Sequence, residues 1–232
     1  MPLTRYRFRF GARRIVRRRF RRGTGYSRYR SSRVVARRYP RPYKRCVHRF
    51  KPESKFYDAT AAGGGIGQNP AGWSRYDLSC PITQGTSSVT RIGAEIVARS
   101  IGITFDVTRN ASGATAQRFR YMLLCYKESE GSIPTAGEFF QTTNVFFPQR
   151  NLEWITAFRV ITDRTLTLDS AITNQKTIRI RRRLNFKMKY QDNSGTTGGQ
   201  TMNQLFFFIW SDQASNPPSL NNFSWRLTFN DN

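Results

Sequence analysis

The first fifty residues of this chain carry eighteen Arg and one Lys with no Asp or Glu. Repulsion among so many like charges outweighs what the few apolar residues between them can bury, so this segment cannot build a core of its own. We therefore predict that residues 1–50 form an arm that stays disordered until it meets a polyanion.

The rest of the chain has a nearly ordinary charge. Residues 51–232 hold twenty basic and fourteen acidic groups, a net +6, whereas the arm holds +19. A basic excess in one terminal block indicates nucleic acid as the first candidate partner and an anionic membrane surface as the second. Because about 180 residues suffice for one domain with a real core, we predict a single folded domain over residues 51–232.

Aromatic residues such as Tyr6 and Phe8 are interleaved with the arm's cations. Aromatic rings and guanidinium planes both stack on unpaired bases, which favours single-stranded nucleic acid over duplex grooves. Two alternatives stay open: the rings anchor the arm to the folded domain, or Ile15, Val16 and Phe20 form the apolar stripe of a basic helix on a membrane surface. The candidate nucleic-acid-binding residues are Arg5, Arg7, Arg9, Arg13, Arg14, Arg17, Arg18, Arg19, Arg21, Arg22, Arg28, Arg30, Arg33, Arg37, Arg38, Arg41, Lys44 and Arg45.

From residue 73 onward apolar and polar residues alternate with period two, which is typical of half-buried β-strands. Between residues 92 and 108 the apolar positions change from even to odd, which predicts a β-bulge near Arg99 and Ser100. Residues 205–210 are apolar on both faces and are expected in mid-sheet or at a subunit contact. Loops of ten or more residues between several segments favour a Greek-key sandwich. Strands are predicted over residues 73–80, 92–108, 117–127, 143–147, 156–168, 177–191, 204–211 and 222–230, with a flexible loop at 61–72 and one helical turn within 132–140.

Residues 177–191 show the most regular alternation, which Arg182 alone interrupts. One interpretation is a basic ridge that faces phosphates and extends the arm's role onto the folded domain. The alternatives are an exposed sheet edge kept soluble by charge, or arginines that form ion pairs between subunits. The candidate ridge consists of Arg179, Arg181, Arg183, Lys187 and Lys189.

Residues for catalysis or metal binding are scarce. His48 is the only histidine and lies in the arm, where no scaffold would orient it. Cys46, Cys80 and Cys125 are far apart, and no Cys/His cluster has metal-ligand spacing. We expect no enzyme activity, catalytic residue, metal or cofactor. An odd cysteine count and the absence of a run of about 18 apolar residues favour an intracellular, soluble protein without a membrane partner.

Several segments resemble the single jelly-roll capsid proteins of circovirus-like, Rep-encoding single-stranded DNA viruses, and the coat protein of satellite tobacco necrosis virus. The similarity lies in "ITQGTSSVTRIGAEIVARSIGITFDV" (82–107), "FRYMLLCYKESEGSIPTAGEFF" (119–140), "FRVITDRTLTL" (158–168), "LFFFIWSD" (205–212) and "FSWRLTF" (223–229). Together these segments cover most of residues 75–230 in the order of that family, while the arm matches only in composition.

This resemblance implies an all-β, eight-stranded antiparallel jelly-roll sandwich with a disordered Arg-rich N-terminal arm. It also implies an icosahedral, T=1-like shell of sixty copies whose arms contact a small single-stranded genome. The segment "RRIVRRRFRR" (13–22) would then be a nuclear-import signal, which places the protein in the virion and in the host nucleus. The implied partners are the chain itself, single-stranded nucleic acid, the nuclear-import machinery and an unidentified receptor.

Two other functions fit the residues: a monomeric cellular RNA- or DNA-binding protein with a basic tail, and the coat protein of a small RNA satellite virus. Arginine and stacking contacts read features that DNA and RNA share, so only the resemblance favours DNA.

Overall fold

The computed structural model describes residues 53–128, 133–193, 195 and 199–231. The predicted arm and its candidate residues lie outside this range. Within it the chain forms antiparallel strands and one short helix. The strands are β1 (Ser54–Ala61), β2 (Gly64–Gly65), β3 (Ser74–Asp77), β4 (Glu95–Thr108), β5 (Ala116–Tyr126), β6 (Phe158–Asp169), β7 (Gln175–Tyr190), β8 (Gln200–Met202), β9 (Gln204–Ser211) and β10 (Ser219–Asp231), and the helix is α1 (Ala136–Phe139).

The strands pair like one long antiparallel hairpin that has been rolled up. The pairs β5–β6, β4–β7, β3–β9 and β1–β10 are nested inside one another along the sequence. Rolling adds the pairs β4–β10 and β5–β9. The result is a six-stranded sheet of order β1-β10-β4-β7-β8, with β2 beside β10, and a four-stranded sheet of order β3-β9-β5-β6. This is the connectivity of a jelly roll, so the predicted fold class is confirmed.

Apolar side chains from both sheets fill the space between them. Leu205, Phe207 and Ile209 of β9 point into this core, while Phe206 and Trp210 point the other way. The second row packs in a separate cluster with α1 and the loop that follows it, on the outer face of the four-stranded sheet. Since β9 lies between β3 and β5, the expected mid-sheet position of residues 205–210 is confirmed.

The predicted bulge in β4 is also present. Ala98 pairs with Phe186 of β7 and Ser100 pairs with Arg183, so the register shifts at Arg99. The pairing of β4 with β10 shifts at the same place. The extra residue changes which face the next side chains occupy, and both halves of β4 therefore direct their apolar rows into the core.

Other predictions need correction. Residues 143–147 form bends instead of a strand, and they cross the outer cluster, where the carbonyl of Phe146 accepts a hydrogen bond of 3.0 Å from Trp210 Nε1. The predicted loop at 61–72 contains β2 and a 3-10 turn over Pro70–Gly72. The strand predicted over residues 156–168 is β6, which begins at Phe158 after a turn.

Strand β1 was missed, because its inward position 55 is a lysine and its outward position 56 is a phenylalanine, which hides the alternation of the following residues. The predicted helical turn is confirmed as α1, which Thr135 and Glu138 close with a capping box. In the part of the chain that the structure describes, no helix has the length and apolar character needed to cross a bilayer.

Candidate nucleic-acid interface

The candidate ridge lies on the outward face of β7. The five side chains Arg179, Arg181, Arg183, Lys187 and Lys189 are all exposed, and the even-numbered residues of β7 face the sandwich interior. Arg182 does not break this alternation, contrary to the prediction from sequence. It occupies an inward position, is half-buried, and donates a hydrogen bond of 2.9 Å from Nε to Thr162 Oγ1 of β6.

Strand β4 separates the ridge from a further arginine on β10. Gly102 of β4 pairs with Arg181 on one side and with Arg226 on the other. Arg226 in turn pairs with Asp58 of β1. One row of the outward face therefore runs Asp58, Arg226, Gly102, Arg181 across four strands. Because Gly102 has no side chain, the sheet surface is recessed at this position, and the side chains of Arg226 and Arg181 project from the strands on either side.

A depression of about 840 Å³ lies over this row, and we call it the Gly102 groove. A Cβ atom placed on Gly102 would meet no atom within 4 Å, which shows that the space above the glycine is open. Arg181 and Arg183 line one wall, and Asp58 and Arg226 line the opposite wall. Small polar residues contribute to the lining beside Gly102: Ser100, Thr104, Ser224 and Thr228.

Carboxylates of the same face neutralise only part of the ridge. Glu95 Oε2 lies 3.3 Å from Lys187 Nζ, and Glu95 Oε1 lies 3.1 Å from Lys189 Nζ. Hydrogen bonds from these two lysines lower the pKa of Glu95. Among the described residues no carboxylate is within ion-pair distance of Arg181 or Arg183. The two arginines that line the groove are therefore available to an anion.

Asp106 modifies the end of the ridge near Arg179. Hydrogen bonds from Asn222 and Thr177 lower the pKa of this carboxyl group, and the charge of Arg179 contributes further.

The opposite wall of the groove carries an ion pair with two hydrogen bonds. Arg226 Nε donates to Asp58 Oδ1 at 2.6 Å, and Arg226 Nη2 donates to Asp58 Oδ2.

The ridge also lies beside an open sheet edge. Strand β8 pairs only with Lys189 and Tyr190, so most of β7 has no hydrogen-bonded neighbour on that side within the described residues. Charges on an edge strand discourage pairing with other chains. Edge protection and anion binding are compatible roles for the same five residues.

Neither Gly102 nor Arg226 was identified from sequence as part of a site. The one signal for Gly102 is a glycine inside a strand, which often marks a close approach by another group. The outward position of Arg226 follows from the alternation of residues 223–229, but its place across β4 from the ridge depends on strand order. No group of three or more His, Cys, Asp or Glu suited to a metal occurs in residues 53–128, 133–193, 195 and 199–231.

The sequence matches no established protein-family profile, and no curated protein is significantly similar to it. Among solved structures, the chain is similar to dimeric latent PorU from Porphyromonas gingivalis, with a TM-score of 0.33 and 10% identity over 78% of this chain and 13% of PorU. It is also similar to a KBV activated particle at acidic pH, with a TM-score of 0.36 and 11% identity over 93% of this chain and 88% of that one. The native virion of Kashmir bee virus at neutral pH gives a TM-score of 0.27 and 8% identity, over 78% of this chain and 69% of that one.

Two of these three structures are viral particles, and the third matches over a small part of its length. At such TM-scores and identities the likenesses are too distant to support a function. The jelly-roll assignment rests instead on the strand order of this chain.

Proposed function

We propose that this protein is a viral capsid protein that self-assembles into an icosahedral shell and packages a small single-stranded DNA genome through its basic arm. The observation that carries the proposal is the joining of a jelly-roll domain of net +6 to an arm of +19. Jelly rolls occur in viral capsids, lectins and cupins, and an uncompensated cationic arm distinguishes the first of these.

The arithmetic of packaging supports this assignment. Sixty arms of +19 would place about 1,140 positive charges in one cavity, enough to neutralise a genome on the order of one to two thousand nucleotides. A small single-stranded genome has that size. Its packaging needs no base readout, because confinement and repetition across subunits hold the strand in place.

Exposed apolar residues supply a surface for self-association. Phe147, Leu152, Trp154 and Ile155 lie close together in sequence, between α1 and β6, and remain exposed in the single chain. Large apolar side chains left exposed together in one segment favour protein–protein contacts. A monomeric nucleic-acid-binding protein would have no use for it, so this surface favours the capsid over the cellular alternative.

The DNA genome and the nuclear stage of the proposal come from the family resemblance. The segment 13–22 contains seven arginines and would direct the protein to the host nucleus. A fluorescent protein fused to this segment should accumulate in nuclei. Replacing those arginines by Gln should abolish the accumulation.

The assembly proposal is tested by expressing the full chain, treating it with nuclease and examining it by electron microscopy. Uniform particles that protect nucleic acid, with a raised ratio of nucleic-acid to protein absorbance, are the expected result. Extraction and nuclease typing of the protected strand then separate DNA from RNA, and hence the DNA virus from the RNA satellite. A monomer whose nucleic acid is fully nuclease-sensitive would overturn the proposal in favour of a cellular binding protein.

A further inference from the structure

We propose that the Gly102 groove is a second binding site, on the folded domain, for the sugar–phosphate backbone of single-stranded nucleic acid. The inference rests on the proposed packaging function and extends it from the arm to the six-stranded sheet. Its three elements are two un-neutralised arginines, an open floor and a neighbouring aromatic ring.

The cations of the groove are placed for consecutive anionic groups. Arg181 and Arg183 are two positions apart on one strand, so they project from the same face about 7 Å apart. Guanidinium groups donate two parallel hydrogen bonds to a phosphate, and they are less strongly hydrated than ammonium groups. Glu95 instead pairs with Lys187 and Lys189, and of the remaining cations of the ridge Arg181 and Arg183 are the two that line the groove.

The floor of the groove has room for a nucleic-acid backbone, because no protein side chain fills the space above Gly102. Gly102 leaves open space above the sheet, and hydroxyl groups of Ser100 and Thr228 lie in the row beside it. Hydroxyls of this kind donate hydrogen bonds to phosphate and sugar oxygens without reading the base. The groove is open at the surface, as a continuous strand requires and a free small anion does not.

An aromatic side chain next to the groove gives a place for a base. Phe56 of β1 pairs with Thr228 and is 38% exposed on the outward face. The guanidinium carbon of Arg226 lies 5.0 Å from the centre of this ring. Stacking of a base on an exposed ring is characteristic of single-strand binding and tolerates any sequence. This ring is the reason for assigning a single-stranded nucleic acid and not a sulfated polysaccharide.

Photo-crosslinking of the full chain to an oligo(dT) that contains 4-thiothymidine tests the site. We expect adducts in the arm and also in residues 54–61 and 175–190. The variant Arg181→Ala/Arg183→Ala should lose at least tenfold of the adducts on these strands and keep those on the arm. The matched control is Arg75→Ala/Arg164→Ala, which removes two exposed arginines from the four-stranded sheet and should change neither set.

A second variant separates shape from charge. Gly102→Leu fills the groove without altering the net charge, and the added Cβ atom would meet no atom within 4 Å. It should reduce the strand adducts as strongly as the double arginine variant. Gly64→Leu is the control, because Gly64 is exposed and likewise has no atom within 4 Å of an added Cβ.

The outcomes distinguish this inference from the packaging proposal. Adducts confined to the arm in the wild-type chain, or strand adducts that survive both groove variants, would overturn the groove. Strand adducts that are unchanged in the Phe56→Leu variant would remove the base-stacking role and with it the assignment to nucleic acid. Adducts on the strands without adducts on the arm would support the groove and contradict the arm's role. Failure of the wild-type chain to form particles would bear on the capsid proposal alone.

Discussion

Arg226 of β10 holds both carboxylate oxygens of Asp58 on the neighbouring strand β1. Hydrogen bonding to Arg226 is the main cause that lowers the pKa of Asp58. The pair sits on the wall of the Gly102 groove opposite Arg181, so Asp58 withholds one of the groove's three outward-facing arginines from any anion. We therefore expect substitution of Asp58 to change the affinity of this face for anions.

Replacing Asp58 by Asn should strengthen binding to single-stranded nucleic acid. The substitution frees Arg226 for one further phosphate, so the slope of log K against log salt should steepen by about 0.7. Fluorescence anisotropy with an oligo(dT) over a series of salt concentrations measures it. Glu153→Gln is the control, because it makes the same change of charge at an exposed site away from the groove. Equal slopes for the two variants would show that only net charge matters.

Deleting residues 1–45 should leave a folded domain that no longer packages nucleic acid. Strand β1 begins at Ser54 and remains complete in this truncation, so the thermal unfolding midpoint of the domain should be retained. Deletion of residues 1–61 also removes β1, which pairs with β10 over eight residues, and should yield insoluble protein because the edge of β10 is exposed. Encapsidation of the same nucleic acid by the shorter truncation would show that the arm's assigned role is wrong.

Lys55→Met should destabilise the domain by about 3 kcal/mol, which is the lower end of the range found when one partner of a buried pair is removed. Lys55 is 2% exposed, and its Nζ lies 2.8 Å from Asp231 Oδ2 while donating a hydrogen bond of 3.0 Å to the carbonyl of Thr90. The substitution removes the cation that is paired with the half-buried carboxylate of Asp231.

Urea denaturation of Lys55→Met and of a surface control measures this effect. In the control Lys187→Met the lysine is 53% exposed and lies 3.3 Å from Glu95, so the loss should stay below about 1 kcal/mol. Similar small losses for both variants would mean that burial adds nothing to the pair of Lys55 with Asp231.

Asp77→Asn should raise the thermal midpoint at neutral pH and leave it unchanged near pH 3. Burial raises the pKa of Asp77, although the backbone N–H groups of Ser79 and Cys80 donate to its Oδ1 at 3.2 and 3.0 Å. The folded state therefore binds the proton more tightly than the unfolded chain. Stability from this group is fully present below the ordinary value of 3.8 and is lost as pH rises through the folded value.

Asparagine keeps the acceptor for Ser79 and Cys80 and carries no charge. Gln204 Nε2 donates to Asp77 Oδ2, whereas Gln204 Oε1 is buried and has no hydrogen-bond partner among the described residues. Rotation of the Gln204 amide would bring that oxygen to the new Asn side chain. Calorimetry at several pH values measures the expected gain of about 2 °C or more at pH 7. A lower midpoint at pH 7 would show that the backbone N–H groups stabilise the ionised form of Asp77.

Local patterns in the sequence predicted much of the domain. The change of parity around Arg99 located the bulge, because a bulge reverses the alternation of side chains along its own strand. Residues 205–210 are apolar on both faces and indicated a central strand, because both faces of β9 are covered by apolar clusters. Strand β1 escaped prediction, since Lys55 occupies an inward position and is buried only through its contacts with Asp231 and Thr90.

The sequence by itself determined the arm of nineteen cations and the alternation that makes β7 basic on one face, because charge repulsion and strand periodicity act between neighbours in the chain. Only the tertiary structure decided which cations of the folded domain are available to an anion. Glu95 reaches Lys187 and Lys189, Asp58 reaches Arg226, and Gly102 opens the space beside Arg181 through pairings between strands up to 168 residues apart. Strand order is set by the packing of the whole sandwich, and a site that spans four strands therefore has no counterpart in any single segment of the sequence.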